Sequence, residues 1–139
     1  MLPLLTSLFA TVVLLVWMGF FMMGSLPLLV LKHDTPLDAR FIRGLFNVYY
    51  VAVTLTASAA ALSFAWTGNA AFAVGMGFVA TLAFALRRWI VIPRMDVLRD
   101  SIPASDASIF QFRRLHVVGM VLNVTQLGTV AWSLTKLAL

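Results

Sequence analysis

The residues of this chain that are equipped for chemistry are few, and they are spaced as helix faces. His116, Asn123 and Gln126, with Arg113 before them, recur at helical spacing, and Gly119 and Met120 lie on the same side. Earlier in the chain Arg40, Arg43, Asn47, Tyr50 and Thr54 form a second stripe. Imidazole, amide and hydroxyl groups between them both donate and accept hydrogen bonds. Two such stripes facing one another would make a polar pocket, or a path for a ligand or a proton. The same groups are equally suited to interhelical hydrogen bonds that fix packing, worth about 0.6–2 kcal/mol each.

His116 is the side chain best suited to carry a proton. Its alternative is a packed histidine held by a backbone carbonyl or by Asn47. His33, at the exit of the first apolar segment, is expected to be solvated or interfacial. Imidazole with thioether suits Cu(I), and His116–Met120 and Met18–Met22 are each one helical turn apart. Methionine is also an ordinary gap-filler in apolar cores. A b-type haem would draw on His33 and His116. Nothing in the sequence gathers either ligand set, so no metal or cofactor is expected, with haem and copper the open alternatives. Asp96 and Arg99 read as a solvated charged face. No Ser-His-Asp arrangement, phosphate loop or paired carboxylate stands out, and Gly75-Met-Gly77 lies inside an apolar segment rather than after a strand. His116 has no identifiable carboxylate partner, so enzymatic activity is not the expectation.

The elements that position these residues are set by composition. The 139 residues are 62% hydrophobic and 11% charged, with mean hydropathy +0.99. A soluble domain is about 45–50% apolar and about 25% charged, and one this small leaves too much surface exposed to hide the excess. Lipid must therefore be the solvent. Cysteine is absent, which excludes disulfides and thiolate chemistry, and the five acids are all aspartate. The net charge of +5 is not a nucleic-acid signal, because the cations flank apolar segments.

The reading is an all-α, single-domain integral membrane protein over residues 1–139. Its spans fall at about 4–26, 44–66, 70–92 and 115–137. The first segment lacks a basic leader and is too long for a signal core, so it reads as a retained helix. Gly24, Ser25 and Pro27 offer it a bend. Thr35, Pro36 and Asp38 form a helix-start pattern below the second span, and Ser105 is a candidate cap for the fourth. Thr67–Asn69 makes a tight turn between spans two and three. Pro93 should end the third, leaving 93–112 to lie partly on the membrane surface as a short amphipathic helix.

Nine of the ten Lys and Arg residues fall within Lys32–Arg43 and Arg87–Arg114. Lys32, Arg40, Arg43, Arg87, Arg88, Arg94, Arg113 and Arg114 would set topology and meet lipid headgroups. An up-down-up-down four-helix bundle follows, with basic connections in the cytoplasm and both termini outside. A bacterial inner membrane is the expected location. Taking Arg43 and Arg114 as interface markers, Tyr50 and Asn123 lie about 10–14 Å deep by helical rise.

Phe112-Arg-Arg-Leu-His-Val-Val-Gly-Met-Val-Leu-Asn123 resembles a family of small four-span proteins, the DUF4149 or TMEM205-like group. The shared features are Arg114-Leu115-His116 opening a late span and Asn123 about two turns on. Leu45-Phe46-x-x-Tyr49-Tyr50 and Ile92-Pro-Arg-Met-Asp-x-Leu-Arg99 are similar too. Gly119 stands where that family often has a small hydroxyl residue. The resemblance implies the four-span fold and brings no biochemical activity with it.

On these grounds the first expectation is a non-catalytic membrane protein acting through helix contacts. It would be an accessory subunit of a bioenergetic or transport complex, or a homo-oligomer. The second is a small transporter or ligand-binding protein, its pocket built by Asn47, Tyr50, Thr54, His116, Asn123 and Gln126. A haem- or quinone-linked redox protein is the third. The partners are the bilayer and other membrane subunits or a second copy, not nucleic acid.

Overall fold

A computed structural model describes residues 2–30, 35–102 and 105–136. Within them the chain is helical, with no strand. The helices are α1 (Leu2–Leu28), α2 (Pro36–Trp66), α3 (Ala70–Ala85), α4 (Val91–Asp100) and α5 (Asp106–Leu134), with a π-helical turn, Leu86–Ile90, joining α3 to α4. Four helices are long and apolar enough to cross a membrane: α1, α2, the continuous α3–α4 unit Ala70–Asp100, and α5. Their outer faces are apolar; Phe20, Phe78 and Trp132 are all more than 60% exposed. This surface belongs in lipid, and the chain is an integral membrane protein.

Local chemistry starts and stops these helices. Thr35 accepts from the Asp38 N–H at 3.1 Å, with Pro36 in the first turn, so α2 begins as its sequence predicts. At its other end Gly68 adopts φ +78°. Gly68 N–H donates to Ala65 O and Asn69 N–H to Phe64 O, closing the helix with a left-handed residue that glycine tolerates.

Two expectations need correcting. Pro93 does not end the third helix: the helical stretch runs on through the π turn to Asp100. The reason is the wide turn just before it. Val91 N–H reaches back five residues to Leu86 O, so a new helical register begins at Val91. Pro93 then sits in the first turn of α4, where a missing N–H costs little. Ser105 does hold the cap position of α5, but its side chain makes no capping bond. The backbone carbonyl of Ser105 alone receives Ser108 and Ile109.

The core lies along α2. Phe21 of α1 stacks on Tyr49 at 4.1 Å between ring centroids and meets Phe46 edge-on at 4.8 Å. Further along the same face Ala57 and Ala60 are fully buried, and α2 packs closely on α3. The α5 backbone approaches α1 and α4 rather than α2 or α3. The space between α2 and α5 is bridged by the large rings of α2, which decides what the polar stripe of α5 can reach.

Candidate polar site inside the bundle

Polarity in α5 is inverted relative to a soluble helix. Phe112, His116, Gly119, Met120, Asn123, Gln126 and Val130 are buried, whereas Val117, Val118, Val121 and Val124 face outward. That is the arrangement expected when the solvent is hydrocarbon.

Three attachments follow the inward face. Fully buried His116 places Nε2 2.8 Å from Ser25 Oγ, tying α5 to α1. Gly119 lies against the Phe46 ring, which meets His116 edge-on at 5.4 Å. Deeper in the bundle, Tyr49 Oη donates to Gln126 Oε1 at 3.1 Å. Asn123 lies beside the Tyr49 hydroxyl without forming a well-aligned hydrogen bond to it. Both polar atoms of the Asn123 amide, Gln126 Nε2 and Tyr50 Oη are buried without a hydrogen-bond partner among the described residues. Tyr50 is 1% exposed and its ring lies 5.3 Å from that of Tyr49.

The α2 stripe divides. Arg43 turns to α4, where Nε and Nη2 donate to the two oxygens of Asp96 at 2.9 and 3.0 Å. Arg99 joins the same carboxylate at 3.2 Å. Asn47 accepts from Arg87 Nε at 3.0 Å, so it braces the third span and does not hold His116. Thr54 bonds back to the Tyr50 carbonyl of its own helix at 2.7 Å. Of that stripe only Tyr50 stands beside the Tyr49–Gln126 contact. Arg113 donates to Leu29 O at 3.1 Å, while Arg40, Arg88, Arg94 and Arg114 have no ion pair among the described residues. Lys32 and His33 lie outside the described residues, and with His33 the two-histidine haem arrangement. No cluster of three or more His, Asp, Glu or Cys side chains able to hold a metal occurs among the described residues.

Several participants escape a reading of polar stripes. Ser25 has the look of a bend residue beside Gly24 and Pro27. Tyr49 lies one position off the stripe, about 100° around the helix. Asp96 has a sequence neighbour, Arg99, that accounts for it locally, yet its two-pronged bond is to Arg43 of another helix. Because Arg43 and Asp96 are about one-third exposed, Asp96→Asn should lower stability by only about 0.5–1 kcal/mol. Thermal unfolding in mild detergent measures it, and the deficit should shrink when salt is raised.

Compared with known protein families, curated proteins and solved structures, the chain finds a match in none of the three.

Proposed function

We propose that the chain is a non-catalytic, ligand-binding or transport protein of the bacterial inner membrane. Its four spans run up-down-up-down, with basic connections in the cytoplasm and the termini outside. The site is the cluster of Tyr49, Tyr50, Asn123 and Gln126. One observation carries this reading: Asn123 is 1% exposed and both polar atoms of its amide lack a hydrogen-bond partner among the described residues. An unsatisfied amide in hydrocarbon costs several kcal/mol, by roughly the water-to-alkane scale. A small uncharged guest that both donates and accepts, such as water, an alcohol or an amide, would satisfy Asn123 and Gln126 Nε2 together. The resemblance to the DUF4149 group is consistent with this reading, since His116 and Asn123 are its shared polar residues.

The test is a density map of the full chain in lipid nanodiscs, paired with Asn123→Leu. The expected result is a hydrogen-bonding species within about 3.2 Å of the Asn123 amide, and a leucine variant that is less stable or loses that density. An amide with nothing beside it, in a protein that leucine stabilises, would overturn the proposal.

A second reading, an accessory subunit or homo-oligomer, is favoured by a different feature. Between α3 and α5 runs an apolar groove of about 320 Å³, lined by Phe72, Gly75, Met76, Val79, Val130 and Trp132 among others. Glycine there allows a neighbouring helix to approach closely. Native mass measurement in mild detergent decides it, and a bare monomer from gentle extracts would count against it.

A further inference from the structure

Eight described arginines crowd the end of the bundle that carries α4 and the start of α5, and half of them are engaged with other described residues. Arg43 and Arg99 share Asp96, Arg99 also holds Asp100, Arg87 holds Asn47, and Arg113 holds Leu29 O. Four are not engaged: Arg40, Arg88, Arg94 and Arg114. Two of these four line one cleft.

That cleft lies between α4 and α5 and has a volume of about 670 Å³, within the ~300–1,000 Å³ typical of small-molecule sites. Arg94, Arg114 and Gln111 supply its polar groups. Pro93, Val97, Leu98, Leu115 and Val118 supply its apolar wall. No acid is among its lining residues, and neither guanidinium group has an ion pair among the described residues. The neighbouring cleft of Pro36, Arg40, Arg99, Asp100 and Ile102 differs in this respect, because Asp100 pairs with Arg99 inside it.

The residue order gives the cleft a direction. On α5 the chain enters at Gln111 and Arg114 and continues to Leu115 and Val118, deeper in the apolar span. On α4, Pro93 is the deepest residue and Arg94 follows it toward the basic end. On α5 the cation Arg114 therefore lies outside Leu115 and Val118; on α4 Arg94 lies between Pro93, which is deeper, and Val97 and Leu98, which are nearer the basic end. Val97 and Val118 are 67% and 47% exposed, so the apolar wall is continuous with the outer apolar surface. A soluble phosphate would use only the guanidinium groups; an amphiphile also uses the apolar wall.

We infer that this cleft is a binding site for one anionic phospholipid, its phosphate held by Arg94 and Arg114 and its first acyl segments laid on Pro93, Leu115 and Val118. Guanidinium presents paired N–H groups that match phosphate oxygens, and a pair of them in one cleft selects a net negative headgroup over a zwitterionic one. Gln111 adds an amide donor for ester or glycerol oxygens.

The test uses the full chain in mild detergent, offered equal amounts of phosphatidylglycerol and phosphatidylcholine with identical acyl chains, with retained lipid counted by native mass spectrometry. Wild type should keep phosphatidylglycerol about tenfold over phosphatidylcholine, given the attraction of two interfacial cations. The Arg94→Gln/Arg114→Gln double variant should lose that preference. Arg40→Gln/Arg88→Gln, which removes equal charge from unpaired arginines outside the cleft, should keep it. Excess glycerol phosphate should not displace the lipid. Should the first double variant fail to purify as a folded species, Arg114→Gln alone decides, with a fall of about threefold expected. No preference in wild type, equal loss in both double variants, an unchanged Arg114→Gln, or displacement by glycerol phosphate would each overturn the inference.

Discussion

Gly119→Ala is expected to destabilise the bundle by about 1–3 kcal/mol, and Gly119→Val by more, although each adds only apolar atoms to a helix that lipid surrounds. On the exposed face of a helix alanine would do the opposite, since it outranks glycine as a helix former by about 1 kcal/mol. The sign is reversed by position. A Cβ on Gly119 would run into the edge of the Phe46 ring, and its second-nearest atom, Cζ, would be only 2.8 Å away. That ring has little freedom to move. It is fully buried, with Phe21 edge-on at 4.8 Å, His116 at 5.4 Å and Tyr50 at 6.0 Å. Either the ring leaves its rotamer or α5 backs away from α2, and the second course also stretches Tyr49–Gln126.

Phe46→Leu separates these causes. Alone it should cost about 1–3 kcal/mol by leaving a cavity. Combined with Gly119→Ala it should restore part of the loss, because a methyl group then occupies space the ring has left. Unfolding midpoints of the four proteins give the coupling. Additive losses would mean that the ring and the glycine do not meet. Gly75 and Gly77 serve as internal controls: an added Cβ at either meets nothing within 4 Å, so alanine there should be neutral or mildly stabilising by its helix propensity.

The sequence makes the helices plain because lipid leaves so few alternatives. Each span must be apolar over about 20 residues and must satisfy its own backbone. The inward face of α5 is equally readable, since His116, Asn123 and Gln126 have no other place to go at that depth. What it does not reveal is which neighbour each polar group meets. Asn47 and Tyr50 share a face in projection, yet Asn47 reaches Arg87 and Tyr50 lies under α2's own aromatic cluster. Long arginine side chains make this difference: Arg87 reaches across from the third span, and no spacing rule within α2 records it. The π turn before Pro93 is hidden for a related reason. Proline usually announces a break, and only the register shift at Leu86–Ile90 shows how the helix absorbs it.

Ser25→Ala is the second large effect expected, and it bears on how α5 is held at all. The backbone of α5 approaches α1 and α4 but stays away from α2 and α3, so side-chain contacts carry much of its attachment. Among these, Ser25 Oγ to His116 Nε2 at 2.8 Å is fully buried at both ends. Which atom carries the proton depends on the imidazole tautomer, but either assignment leaves a polar atom stranded when the hydroxyl is removed. The cost of stranding a buried group is about 1–3 kcal/mol. Hydrogen bonds between membrane helices measure lower, about 0.6 kcal/mol on average and about 1.7 at most, because the unfolded helices find other partners in the membrane. We therefore expect Ser25→Ala to cost about 1–2 kcal/mol. His116→Leu removes the imidazole at similar bulk, and Ser25→Ala should cost much less in that background. A double-mutant cycle on thermal unfolding should return a coupling of about 1 kcal/mol. A coupling near zero would mean that α5 is positioned by the Phe46–Gly119 contact and the Tyr49–Gln126 bond alone. In that case His116 would be better explained as part of the polar site than as its support, and its replacement should then disturb the density beside Asn123 while leaving the unfolding midpoint in place.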